Sequence, residues 1–192
     1  MRFETFAPLA GYSHAFTLRQ VTDETRTAGF PAEFARTLGY SSFAAAEQTH
    51  GNGVAVVDQS GTVGGVDALI TRRAGLPLII RCADCVPVFI FDRAAPAIAL
   101  IHSGKKGTLA NVVGATVAAL RPSDGVAFIG PSIGSCHYEM DLWTAIEAQL
   151  RAAGIAEIHN PRICTACHLD RYYSYRAERG QTGRMFALLA LP

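Results

Sequence analysis

Short, unbroken apolar runs dominate the chain. GVAVVD (53–58), DALIT (67–71), LPLIIR (76–81), VPVFIFD (86–92), AIALIH (97–102), VAFIG (126–130) and MFALLAL (185–191) are rich in Val, Ile and Phe and are bounded by Gly, Pro, Asp or Arg. Runs of this length and composition predict strands, and runs apolar at every position predict sheets covered on both faces. Helical periodicity is rarer. TLANVVGATVAALR (108–121) brings Leu109, Val112, Val113, Val117 and Leu120 toward one face and meets Pro122 as its stop. DLWTAIEAQLRAAG (141–154) predicts a second helix, with Asp141 as N-cap and Gly154 at its end. PAEFARTLG (31–39) predicts a shorter one, with Pro31 in the first turn and Gly39 as its stop. Strands outnumber helices and their order is irregular. The expected fold is therefore a mixed α/β (α+β) domain with mixed sheets, not a regular βαβ repeat. No linker or repeat divides residues 1–192, which read as a single domain.

Composition narrows the function. Hydrophobic residues make up 49% and charged residues 17% of the 192, which suits a large core and excludes a disordered chain. The formal net charge is +1, so no basic excess is available for a phosphate backbone and nucleic acid is not the expected partner. No apolar stretch approaches the length of a membrane span. The N-terminal MRFETFAPLAGYSHAF, interrupted by Glu4 and His14, does not read as a signal peptide, and the cytoplasm is the expected location. The cysteines Cys82, Cys85, Cys136, Cys164 and Cys167 are odd in number. In a reducing compartment they point to metal binding or catalysis before disulfides.

Polar groups interrupt the apolar pattern at strand ends. QTHGNGV places Gln48 and His50 before one strand, RCADCVPV places Cys82, Asp84 and Cys85 between two, and ALIHSGKKGT ends a strand on His102 before a Gly-flanked basic turn. His50, Cys85 and His102 are too far apart for zinc-finger spacing. They suit ligands converging from separate strand ends, as in catalytic zinc sites, although a lone His at a strand end is more often a surface or hydrogen-bonded residue and a lone Cys in an apolar run more often core. Cys82–Cys85 and Cys164–Cys167 form two C-x-x-C pairs that could together make a Cys₄ zinc site. Against this, strand alternation turns Cys82 away from Cys85, and the plainer reading makes Cys82 and Cys167 packing residues. GPSIGS (130–135) suggests a tight loop exposing N–H groups to an anion, or simply a turn. RYYSYRAERGQTGR (171–184) gathers Arg and Tyr in a way that suits a phosphate or planar base. There Arg179 reads as solvated, and Arg176 as evenly balanced between solvent and ligand.

Taken in order, QTHGNGV, DALIT, CADCVPV, IHSGKKGT, GPSIGSCHYEM and CTACHLDRYYSYRAERGQTGR resemble the motifs of the YfiH family, also called the laccase-domain or polyphenol oxidase family, over residues 44–190. The resemblance implies mixed sheets layered with helices and a distant relation to the catalytic domain of cytotoxic necrotizing factor toxins, which are Cys–His deamidases. The family's Q-x-H-G histidine, A-D-C cysteine and H-A-G-W-R-G histidine fall on His50, Cys85 and His102. The resemblance implies that these bind zinc and carry phosphorolysis and adenosine deamination of purine nucleosides; an older reading makes members copper-dependent polyphenol oxidases. Gln48, Lys106, Ser174 and Arg176 fall at substrate positions. The chain departs from the pattern in three places. Lys105 and Lys106 replace the family Trp and Arg, the F-S-Y-R-R run becomes Tyr173-Ser174-Tyr175-Arg176-Ala177, and the N-terminal third is shorter. A lysine cannot make the two-pronged contact of a guanidinium.

A His₂Cys set leaves one zinc position open. On this reading Lys106 and Arg176 meet phosphate, Lys105 is solvated, and Asp84 orients a ligand or shuttles a proton. The partners are a purine nucleoside and phosphate, without nucleic acid or membrane, and the chain is a monomer or small homo-oligomer. Three alternatives stand beside this. One is a Cys–His hydrolase or amidase with Cys85 as nucleophile, His102 as base and GPSIG as oxyanion loop. Another is a copper-dependent polyphenol oxidoreductase, for which six His without an H-x-H pair are poor material. The last is a non-enzymatic zinc domain built on the two C-x-x-C pairs.

Overall fold

The computed structural model describes residues 1–20 and 24–192. In chain order its elements are β1 (Phe3–Glu4), β2 (Ser13–Thr17), α1 (Phe30–Thr37), β3 (Ala44–Ala46), β4 (Val54–Val56), β5 (Gly61–Val63), β6 (Ala68–Thr71), β7 (Leu78–Cys82), β8 (Val86–Asp92), β9 (Ala97–Ser103), α2 (Lys105–Leu109), α3 (Val112–Leu120), β10 (Gly125–Ile129), α4 (Leu142–Ala152), β11 (Glu157–His159) and β12 (Met185–Ala190). Each of the seven apolar runs contains a strand. The strands form two six-stranded sheets, ordered β1-β2-β12-β7-β3-β5 and β11-β10-β8-β9-β6-β4. Both mix parallel and antiparallel pairs. No helix among the described residues is long and apolar enough to cross a membrane.

The sheets face each other. Phe16, Leu78, Ile80 and Leu189 from the first meet Leu69, Phe89, Leu100 and Phe128 from the second. The outer face of the second sheet is covered by α3 and α4, where Val113, Val117, Ile146 and Leu150 lie on Ile70, Val88, Ile90 and Ile101. The outer face of the first is covered by α1, where Phe30 and Phe34 lie on Ala15, Ile79, Phe186 and Leu188. Successive strand residues point to opposite faces. Leu78 and Ile80 therefore enter the central core while Ile79 meets the helix, which is why these strands are apolar throughout.

Two expectations are corrected. Residues 108–121 are not one helix. Asn111 adopts a left-handed conformation (φ 58°, ψ 45°), and its side chain caps α3 by accepting from Gly114 N–H at 3.2 Å. The preceding residues coil separately as α2, which begins at Lys105. The GKKG segment is thus the first turn of a helix and not a free turn. The other helix ends hold: Asp141 accepts from Thr144 N–H at 3.0 Å, and Gly154 turns left-handed (φ +94°) after α4.

The chain leaves β7 in the first sheet and enters β8 in the second through the turn Ala83–Cys85. The loop from β3 to β4 also passes between the sheets and carries His50. The last residues of β9, paired to the start of β8 with His102 opposite Pro87, complete this corner.

Candidate metal centre and its cleft

His50, Cys85 and His102 each present a donor atom at this corner, and the three atoms lie within 4.8 Å of one another, a group that could hold a metal ion. The two imidazoles meet edge to face with centroids 4.9 Å apart. One residue organises them. Asp67, fully buried just ahead of β6, accepts His102 Nδ1–H at 2.8 Å through one carboxylate oxygen and the N–H of His50 at 3.0 Å through the same oxygen. Its other oxygen accepts from the N–H groups of Thr49 (3.1 Å) and Gly51 (2.8 Å). Burial pushes this carboxyl up, but His102 and the backbone N–H groups of Gly51 and Thr49 outweigh it and hold it at about 2. The bond to Nδ1 leaves Nε2 as the ring atom of His102 available to a ligand, the arrangement that fixes a metal-binding imidazole. Burial also lowers the His102 pKa, so the ring is neutral, as a ligand must be. His50 sits at φ 60°, outside the usual region for a side-chain-bearing residue, held there by its N–H bond to Asp67.

Burial, with the carboxylates of Asp84 and Asp67 nearby, pushes the Cys85 thiol up to about 12. A thiol so placed is protonated until a cation arrives. A Cβ on Gly104 would stand 2.8 Å from Cys85 Sγ and 3.3 Å from His50 Cδ2, so glycine is what lets the strand end approach the donors.

The three residues line a cleft of about 1580 Å³ with Gln48, Arg81, Lys106, Arg176, Arg179 and Arg184 also on its walls. Gln48 lines this cleft but spends its amide on the backbone of Arg81, accepting from its N–H at 2.8 Å and donating to its C=O at 2.6 Å. Arg176 lies over the Tyr138 ring at 4.9 Å and pairs with Glu139 at 3.2 Å. Lys105 is not merely solvated, because it pairs with the same Glu139 at 3.0 Å. Ser174 is placed elsewhere than expected. It is fully buried, its Oγ accepts from Ala177 N–H at 3.2 Å, and it lies in the turn beneath Arg176 and not on the cleft wall.

The GPSIGS loop is not an oxyanion cradle. The N–H groups of residues 130–134 are already engaged: Gly130 to Pro87 C=O (2.9 Å), Ser132 to Ile163 C=O (3.1 Å), Ile133 to Asp84 C=O (2.9 Å) and Gly134 to Cys164 Sγ (3.2 Å). Asp84 is engaged in holding its own turn: its two carboxylate oxygens accept from Thr165 Oγ1–H and Arg176 N–H at 2.7 Å each, so it acts on the neighbouring Cys85 by fixing the turn and not by contact with the ligand atom. The two C-x-x-C pairs do not meet. Cys82 is buried in the central core, whereas Cys167 is exposed and lies 3.6 Å from Cys136, so it is not a packing residue. The residue missed in the sequence is Asp67, whose one visible mark is a carboxylate heading an otherwise apolar strand.

Residues 18–141 and 137–192 match the family model described as multi-copper polyphenol oxidoreductase laccase. A purine nucleoside phosphorylase of Bacteroides thetaiotaomicron is 34% identical over 161 residues, covering 64% of this chain and 60% of that protein, which is less than two thirds of its length. A purine nucleoside phosphorylase of Deinococcus radiodurans is 30% identical, covering 97% of this chain and 92% of that protein. Among solved structures, YlmD from Geobacillus stearothermophilus superposes with a TM-score of 0.88 at 25% identity over 98% of each chain. YfiH of Bacillus licheniformis shares the fold with a TM-score of 0.88 at 23% identity over 99% of each chain. With the family model matched from residue 18 to the last residue and the Deinococcus relative aligned over almost its whole length, this chain belongs to the multi-copper polyphenol oxidoreductase laccase family.

Proposed function

We propose that this protein is a zinc-dependent purine nucleoside phosphorylase that also deaminates adenosine. The observation that carries the proposal is the convergence of two imidazoles and one thiol in a cleft walled by guanidinium and ammonium groups. The names of the relatives support the substrate class. His50, Cys85 and His102 would hold the zinc, and the donor set fits it: two imidazole nitrogens, and a half-buried thiol that needs a cation to ionise. Zinc held there supplies Lewis-acid polarisation of substrate or water.

The chain's own residues do the rest. Asp67 fixes the His102 ring and the His50 loop. Arg176 and Lys106 hold phosphate, and Tyr175, 55% exposed on the cleft wall, offers a ring face to the purine. The amidase alternative is disfavoured because the Cys85 thiol is pushed up to about 12 and the N–H groups of Ser132, Ile133 and Gly134 are already bonded within the protein. A small-molecule enzyme with five free thiols suits the cytoplasm.

The test is metal analysis of purified protein, followed by assays of inosine and adenosine with and without phosphate. Base release that requires phosphate, stops with chelator and returns with zinc is expected. Activity that survives chelator but is lost on thiol alkylation would point to the amidase. Copper-dependent oxidation of phenols without nucleoside turnover would point to the oxidase.

A further inference from the structure

A second group of metal-ligating side chains stands apart from the first. Cys136 and His137 lie on the loop between β10 and α4, and after β11 Cys164 precedes and Cys167 ends the short helical turn Thr165–Cys167. Their four donor atoms also lie within 4.8 Å of one another. Cys136 Sγ is 3.5 Å from Cys164 Sγ and 3.6 Å from Cys167 Sγ. His137 Nδ1 is 3.2, 3.5 and 3.8 Å from the sulfurs of Cys136, Cys167 and Cys164. With ordinary Zn–S and Zn–N lengths, a tetrahedral zinc needs S···S edges of about 3.8 Å and S···N edges of about 3.5 Å. A disulfide needs roughly 2.05 Å between sulfurs, and neither Cys136 pair is near that.

We propose that Cys136, His137, Cys164 and Cys167 form a closed, structural Cys₃His zinc site, separate from the centre at Cys85 and independent of the reaction assigned there. Three sulfurs and one nitrogen complete the tetrahedron, so no position is left for substrate. The backbone holds the donors in place without the ion. Ser132 and Cys164 form a parallel bridge, with Ser132 N–H on Ile163 C=O at 3.1 Å and Thr165 N–H on Ser132 C=O at 2.9 Å. Gly134 N–H donates to Cys164 Sγ at 3.2 Å, a contact that favours a thiolate.

The site would brace one wall of the cleft. His137 is followed by Tyr138, beneath the Arg176 guanidinium, and by Glu139, which pairs with both Lys105 and Arg176. Thr165, between the last two ligands, bonds Asp84 beside Cys85. An ion here joins the loops after β10 and β11 and, through Asp84, steadies the turn that carries a ligand of the first centre.

Zinc content and zinc X-ray absorption of protein purified under reducing conditions test the proposal. Wild type should carry two zinc ions per chain, Cys85→Ser one, and the double variant Cys136→Ser/Cys167→Ser one. The zinc left in Cys85→Ser should have three sulfur neighbours and one nitrogen at about 2.3 and 2.0 Å. A single zinc in wild type that is unaffected by Cys85→Ser and lost in the double variant still supports this site while removing the first. Zinc falling to zero in Cys85→Ser overturns it. If the double variant fails to fold, wild type decides by thiol reactivity: the exposed Cys136 and Cys167 should resist alkylation until chelator is added. Equal alkylation with and without bound zinc, or a disulfide among these cysteines in the reduced protein, overturns the proposal.

Discussion

The hydroxyl of Thr165 donates to a carboxylate oxygen of Asp84 at 2.7 Å, with both residues buried, and so ties the turn bearing Cys85 to the turn bearing Cys164 and Cys167. The other carboxylate oxygen takes Arg176 N–H at 2.7 Å, and the Asp84 carbonyl takes Ile133 N–H at 2.9 Å. Asp84 achieves this with its own backbone at φ 83°, a conformation tolerated only where surrounding bonds over-determine it. Thr165→Val keeps the shape and removes the donor. A loss of about 1–3 kcal/mol in stability is expected from the unsatisfied buried carboxylate oxygen, read by urea denaturation. An unchanged midpoint would mean that the bond contributes nothing.

Asp67→Asn should weaken metal binding at the Cys85 centre without unfolding the protein. An amide in this place cannot accept from all of Thr49, His50, Gly51 and His102. Removing the carboxylate partner of a ligating histidine typically lowers affinity about 10–100-fold. Competition against a calibrated chelator measures this, and equal affinity would show that Asp67 organises only the loop.

Gly104→Ala tests the close approach at the same centre. The backbone there (φ −87°, ψ −179°) suits any residue, so the cost is purely the Cβ, 2.8 Å from Cys85 Sγ. The expected result is a folded protein with zinc lost from the Cys85 centre and activity down at least about tenfold, the effect of displacing a reacting group by a fraction of an ångström. Full activity would show that the Cys85 turn yields freely.

Lys106→Ala separates the two proposed reactions. Lys106 stands on the first turn of α2 facing the cleft, while Glu139 engages its neighbour Lys105. If Lys106 holds phosphate, its loss should raise the phosphate KM and slow phosphorolysis by about 1.5–3 kcal/mol, the range for a charged hydrogen bond, and slow deamination far less. Equal falls in both rates would make Lys106 a general shaper of the site.

Asp92 supplies an acid-sensitive clamp away from the cleft. Its carboxylate accepts N–H bonds from Ala94 (2.9 Å), Ser123 (2.9 Å) and Asp124 (3.0 Å). Burial raises its pKa, but these bonds outweigh burial and the net shift is downward. The folded pKa lies below the unfolded value of about 3.9, so the stabilisation is complete above that value and is lost as pH falls through the folded pKa. Asp92→Asn should therefore lower Tm at pH 7, and the gap between the variant and wild-type Tm should close as pH falls through the folded pKa of Asp92. A gap that stays constant across this range would assign the effect to shape and not charge.

Seven strands could be read from the sequence because each lies in an unbroken apolar run; for β8, β9 and β12 burial on both faces follows directly from two sheets that face each other and are covered by helices, whereas the edge strand β4 is half-buried with Val56 exposed. β1, β2, β3, β5 and β11 could not: four of them are two or three residues long and held only by their neighbours, and β2 opens on the polar Ser13 and His14. The resemblance named His50, Cys85 and His102 together, whereas Asp67 became visible only when β6 set it beneath both histidines. The tertiary structure alone decided the partners of Cys164 and Cys167. Counting C-x-x-C pairs joins them to Cys82 and Cys85, but β7 takes Cys82 into the central core. Parallel pairing of β10 with β11 runs on into Ser132 and Cys164, and so brings Cys136 and His137 to them instead. Local periodicity reports whether a residue is buried. Which distant residues meet depends on strand order, and strand order is settled by packing across the whole chain.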